Sequence, residues 1–242
     1  MPAPLTRPHP MTSLSHAAQR RSIIDTCLAM NGAGINQGAS GNLSVRVEDG
    51  FLITPSSLPY DETTPEDIVE MGFDGTYVGR RRPSSEWRFH RDILKARADA
   101  DVVLHAHSTF ATALAVHGRG IPSFHYMVAL AGGDSIRCAP YATFGTQELS
   151  DHAVAALDGR LACLLANHGM IVLGKTLKGA LALAVEVETL ARQYLYAHLL
   201  GEPVILPPEE IERVAEKMRR MKYGLPPDED AAPEDTARPR DA

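Results

Sequence analysis

The chain has 242 residues, 44% hydrophobic and 22% charged, with a formal net charge of −6. This ordinary globular composition is long enough for one large domain or two small ones, and its acidic balance argues against nucleic acid as a partner. No run approaches the length of a membrane span and no secretory pattern opens the chain, while the three scattered cysteines (Cys27, Cys138 and Cys163) form neither a CxxC pair nor a disulfide framework, which together point to a reducing, cytoplasmic setting.

MPAPLTRPHP is polar and proline-rich, so residues 1–14 read as a loose arm. A helix follows over about His16 to Asn31, with Ser13 or Ser15 as cap, Ile23, Ile24, Cys27 and Leu28 on one apolar face, and Gly32 and Gly34 as the stop. LSVRV and FLIT, joined at Glu48–Asp49–Gly50, read as a hairpin, and a second hairpin surrounds Phe73–Asp74–Gly75. The Arg80–Arg81–Arg82 run reads as a solvated loop, or as an attractor for an anionic substrate. A helix from about Ser85 to Ala98, the strand VVLHAH and a short helix over STFATALAVHG come next, and residues 121–145 are mixed and glycine-interrupted. QELSDHAVAAL is helical, and LACLLANHGMIVLG reads as two buried strands joined at Asn167–His168–Gly169. A long helix spans about Thr176 to Leu200, and another carries EEIERVAEKMRR after Pro207–Pro208. The body, residues 15–224, reads as a single α/β domain without internal repeats, and residues 225–242 as an acidic, proline-rich, disordered tail.

On a strand, positions i and i+2 share a face, so His105 and His107 in DVVLHAHSTF project side by side at the end of an apolar run. Spacing alone leaves two readings open, a pair of metal ligands or two polar residues that close a strand. His168, at the turn of LLANHGMIVLG, adds a third imidazole at the end of a core strand. Three protein nitrogens with one open position form a common catalytic zinc arrangement, in which the metal acts as a Lewis acid on a substrate oxygen. In RRRPSSEWRFHRDILKA, Ser85 caps a helix and Glu86 lies in its first turn. The same N-terminus suits a phosphate, with Glu86 beside it as base or metal ligand. His90 follows Glu86 at i+4, and the plainer reading makes it a structural residue rather than a fourth imidazole ligand. QGASGNLS and TPSS are small-residue loops, each consistent with a simple turn or with part of an anion-binding concavity.

Taken together, INQGASGNLSVR, LITPSSLPYDE, PSSEWRFHRDIL, VVLHAH, IPSFHYM, CAPYATFGT and NHGMIVLG occur over residues 20–224 in an order that resembles the class II aldolase/adducin family. The resemblance implies a single three-layer α/β/α domain around a mostly antiparallel central sheet, assembled as a homotetramer with active sites between subunits. It implies one Zn2+ per subunit on His105, His107, His168 and Glu86, with Glu86 also acting as acid/base. It implies a phosphate pocket of Gly41, Asn42, Ser56, Ser57, Ser84 and Ser85. Tyr126 falls on a tyrosine that reaches into a neighbouring subunit's site, and Tyr223 on one near the C-terminus. The implied reaction is cleavage of a phosphorylated sugar, a 1-phosphorylated ketose of the L-fuculose, 5-deoxyribulose or 5-methylthioribulose type, to dihydroxyacetone phosphate and an aldehyde. Ala39 and Ser56–Ser57 depart from the threonine and threonine–glycine of the family's aldolases but keep the loops small. The alternatives are a methylthioribulose-phosphate dehydratase, a pentose-phosphate 4-epimerase, which carries aspartate at the Glu86 position, and a metal-free interaction module.

Overall fold

The computed structural model of the chain describes residues 15–221. The terminal arm, the tail and Tyr223 lie outside the described residues.

Nine strands form one sheet among the described residues: β1 (Asn42–Val47), β2 (Gly50–Ile53), β3 (Val69–Gly72), β4 (Tyr77–Val78), β5 (Val102–Ala106), β6 (Ile121–Pro122), β7 (Ser135–Ala139), β8 (Ala162–Leu165) and β9 (Gly169–Gly174). Their order is β4-β3-β2-β1-β5-β9-β8-β7-β6. Every pairing is antiparallel except that of β7 with β8, so the expected mostly antiparallel sheet is present.

Both sheet faces are apolar, and the period-2 alternation sorts each strand's side chains between two cores. Leu43, Leu104, Leu164 and Val172 join one core, packed beneath helices α1 (Ala17–Gly32), α3 (Thr109–Ala115) and α5 (Leu177–Ala197). Phe51, Val103, Cys163 and Ile171 join the other, beneath α2 (Trp87–Ala96) and α4 (Gln147–Ala156). A sixth helix, α6 (Pro208–Arg220), lies against the 3-10 helix Tyr126–Ala131. This is the expected layering of helices on each side of a sheet.

Helix starts depart most from expectation. His16, in a left-handed conformation with φ 57°, precedes α1 without a side-chain cap. The expected cap Ser15 instead donates its hydroxyl to Glu70 at 2.8 Å, a tie 55 residues along the chain that local grammar does not encode. Helix α2 likewise begins after Glu86 rather than Ser85. The Arg80–Arg82 run is more than a solvated loop: Arg80 and Arg81 both donate to the buried carboxylate of Asp67, at 2.8 and 2.9 Å. The mixed segment 121–145 resolves into β6, the 3-10 helix Tyr126–Ala131 and β7.

Candidate active site

Antiparallel pairing of β1, β5 and β9 builds the polar end of this sheet. Asn42 stands opposite His105 in the register, and Ala106 opposite Met170. His105 is fully buried, and its Nδ1–H donates to the Met170 carbonyl at 2.9 Å. That bond leaves the Nε2 lone pair turned toward His107 and Glu86. His107, one residue past the end of β5, brings its Nε2 within 2.9 Å of the His105 Nε2. His168 enters from the β8–β9 turn, where Asn167 takes a left-handed φ of 56°. The three imidazole centroids lie 4.7 to 4.9 Å apart.

Glu86 closes the cluster from the start of α2. Its own N–H donates to Ser84 Oγ at 3.3 Å, and its carboxylate makes no cap to its own helix. The carboxylate instead places Oε2 3.2 Å from His105 Nε2 and Oε1 3.3 Å from His168 Nε2. The candidate ligand atoms of Glu86, His105, His107 and His168 all lie within 4.8 Å of one another.

The electrostatics of this cluster ask for a cation. Burial, with His107 alongside, pushes the His105 imidazole down to about 3. Burial and the neighbouring His105 push His168 down to about 4, and burial lowers His107 as well. At neutral pH the rings are uncharged, so they present lone pairs to each other and to a carboxylate. Glu86 Oε1 is buried without a hydrogen-bond partner, and such an orphaned acceptor is costly in a folded protein. Three imidazole nitrogens and one carboxylate oxygen are a donor set suited to zinc and to related borderline divalent ions.

A cleft of about 390 Å³ opens beside the cluster. Gly41, Asn42, Ser56, Ser57, Ser84 and Ser85 line it together with Glu86, His107 and His168. Backbone bonds bind the two serine loops to each other: Ser84 N–H donates to the Thr54 carbonyl at 3.0 Å and Ser56 N–H to the Arg82 carbonyl at 3.1 Å, flanking a bridge between Pro55 and Pro83. Thr54 in turn ties this pair to β1, its N–H donating to the Leu43 carbonyl at 3.1 Å. Three loops remote in sequence thus converge on one concavity rich in hydroxyls and small residues.

Two aromatic side chains of that cleft, Tyr141 and Phe144, had no role assigned from sequence. They are 60% and 64% exposed, and the CAPYATFGT stretch that carries them has no helix or strand periodicity to show where they point. Tyr126 is not part of this cleft; it is half exposed on its 3-10 helix, stacked on His125 at 4.7 Å. His90 stays out of the metal cluster and lies fully buried behind it. A larger groove of about 990 Å³, lined by Leu130, Ile211 and Met218, holds none of the expected site residues.

Known proteins agree with this architecture. The model of the class II aldolase and adducin N-terminal domain matches residues 21–195. A 5-methylthioribulose-1-phosphate/5-deoxyribulose-1-phosphate aldolase of Rhodospirillum rubrum is 56% identical over 205 residues, which is 85% of this chain and 93% of the relative. An L-fuculose phosphate aldolase of Escherichia coli is 50% identical over 206 residues, 85% of this chain and 95% of the relative. A solved L-fuculose 1-phosphate aldolase superposes with a TM-score of 0.82 at 40% identity, covering 86% of this chain and 98% of that one. With its metal-binding constellation, its sheet and these relatives in agreement, the chain belongs to the class II aldolase/adducin family and to its aldehyde-lyases.

Proposed function

We propose that this protein is a zinc-dependent aldolase that cleaves a 1-phosphorylated ketose between C3 and C4, giving dihydroxyacetone phosphate and an aldehyde. The observation that carries the reading is the unpartnered Glu86 Oε1, buried among three neutral imidazoles at the edge of a hydroxyl-lined cleft. His105, His107, His168 and Glu86 would hold the ion, which when bound supplies a Lewis acid for the ketose oxygens. Gly41, Asn42, Ser56, Ser57, Ser84 and Ser85 hold the phosphate and so fix where the reacting carbons lie. As the C3–C4 bond breaks, the C4 hydroxyl gives its proton to a base, the electron pair stays on C3, and Glu86, once protonated in turn, delivers a proton to C3, so that no proton is gained or lost overall. Tyr126 serves the aldehyde end in a neighbouring subunit, and Tyr223 is the second tyrosine assigned to catalysis. Tyr126 being half exposed outside its own cleft supports that reading, as do the exposed apolar side chains of Leu199, Leu200 and Val204 for a homotetramer. The domain spans residues 15–224 and works in the cytoplasm, consistent with cysteines that are all free. Among the described residues no helix is long and apolar enough to cross a membrane.

The relatives named for 5-methylthioribulose, 5-deoxyribulose and L-fuculose phosphates define the substrates to test. Dihydroxyacetone phosphate release from these three ketose 1-phosphates is measured with zinc and after chelation. Release that chelation abolishes and zinc restores is expected, with His107→Ala losing bound zinc and at least about a hundredfold in rate. A zinc-loaded enzyme that releases none overturns the aldolase and directs the search to dehydratase or 4-epimerase products. A protein that purifies and remains without metal would be an interaction module.

A further inference from the structure

Beneath the cluster, strand β1 turns Asn42 and Ser44 to the same sheet face, two residues apart. Helix α2 lowers His90 onto them from above. His90 Nδ1 lies 2.7 Å from Ser44 Oγ, and its Nε2 lies 2.5 Å from Asn42 Oδ1. Asn42 Nδ2 in turn donates to Glu86 Oε2 at 2.9 Å. All four side chains are buried, His90 and Ser44 completely. They sit on the sheet face covered by α2, next to an otherwise apolar core that includes Phe89 and Val103.

The direction of this chain follows from its last member. A carboxylate oxygen only accepts, so Asn42 must turn its amide nitrogen toward Glu86. Its carbonyl oxygen then faces His90 and must receive a proton from Nε2. That leaves Nδ1 as the acceptor for the Ser44 hydroxyl. Rotating the amide by half a turn would set Asn42 Oδ1 against Glu86 Oε2, a repulsion that no change of imidazole tautomer removes. The carboxylate therefore decides which way the amide points, and His90, donating from Nε2 to Asn42 Oδ1, holds it there.

We infer that His90 is a positioning residue: through the Asn42 amide it fixes the carboxylate of Glu86 at the angle needed to exchange a proton with C3 of the substrate. The inference rests on the proposed acid/base role of Glu86. It also explains why a histidine occupies the i+4 position after Glu86 without joining the metal cluster. A buried imidazole serving structure alone would need only to be satisfied; this one passes on a chain of donors that ends on the one carboxylate the reaction uses.

The test uses zinc-loaded full-length enzyme and dihydroxyacetone phosphate, following exchange of its C3 protons with deuterated water. His90→Phe keeps a ring of similar size but no donor, and His90→Gln restores an N–H near the Nε2 position. The phenylalanine variant is expected to keep wild-type zinc content and KM while its exchange rate falls about tenfold to a hundredfold, and the glutamine variant to recover to within a few-fold. Wild-type exchange in a zinc-replete His90→Phe, or a loss in KM or zinc alone, overturns the inference. Should His90→Phe fail to fold, nitrogen NMR of wild-type histidines decides: His90 is expected to be protonated at Nε2 with Nδ1 bare, and the opposite tautomer overturns the chain of donors. Absence of exchange in the wild-type enzyme itself would overturn the aldolase reading rather than the hydrogen-bond chain, which the NMR reads independently.

Discussion

Ser57 occupies a backbone conformation that side chains other than glycine avoid. Its φ is 58°, where the Cβ of an L residue crowds the backbone at a cost of roughly 1–2 kcal/mol. Asn167 shares that conformation at φ 56°, but asparagine tolerates it better than serine does. Ser57 lines the cleft with its hydroxyl 3.5 Å from that of Ser56, so the strain coincides with the proposed phosphate contacts. Ser57→Gly relieves the strain, although the freer unfolded chain takes back roughly 0.4–1 kcal/mol. A small rise in Tm, about 1–3 °C, is therefore expected. In the same variant KM for the ketose phosphate rises several-fold, since one hydroxyl is lost. Thermal melts and steady-state kinetics read both, and a fall in Tm would show that the loop holds this φ without strain.

The meeting of β5 with β9 sets where His107 lies. A Cβ built on Gly169 would stand 2.5 Å from the Ala106 carbonyl and 2.9 Å from His107 Cδ2, distances no real side chain tolerates. Gly169→Ala must therefore part the strands at Ala106, at the end of β5, and push the adjoining imidazole aside with it. With Ile171 still paired to His105, the displacement falls on the free end, His107. The expected result is a folded protein whose zinc affinity, measured by competition with a chelator, drops about tenfold to a hundredfold. Unchanged affinity would mean that the ring has room the backbone does not suggest. This pairing also shows what a linear reading reaches. The His-x-His pair was visible because strand period is local, and the helix after Pro83 because its start signals are local. The contact of His90 with Asn42 spans 48 residues, and Glu86, which precedes α2 in place of Ser85, directs its carboxylate at His105 and His168 in other elements of the fold. Strands of two residues, β4 and β6, are too short to show periodicity and exist only through their neighbours.

Part of the stability of the molecule against acid comes from a carboxylate outside the cleft. Asp67 ends the 3-10 helix Pro65–Asp67 and accepts from the Thr64 N–H at 2.9 Å, and Arg80 and Arg81 reach it from beyond β4. Those arginines begin the segment that passes through Pro83, bridged to Pro55, to Ser84 and Glu86, so this clamp holds the approach to the cleft. Burial alone would raise the Asp67 carboxyl, but the bonds from Arg80, Arg81 and Thr64 outweigh it and hold it well below the usual carboxylate range. A carboxyl depressed on folding contributes stability that is fully present above its unfolded pKa, about 3.9. That contribution fades as pH falls below this value toward the folded one. Asp67→Asn should therefore lower Tm at pH 7 by about 3–8 °C, and the gap between wild type and variant should narrow as the pH is taken below about 4. Melting curves from pH 7 to the acid limit test this. A gap that stays constant into strong acid would show that Asp67 acts by shape alone and that its charge does not hold the two arginines.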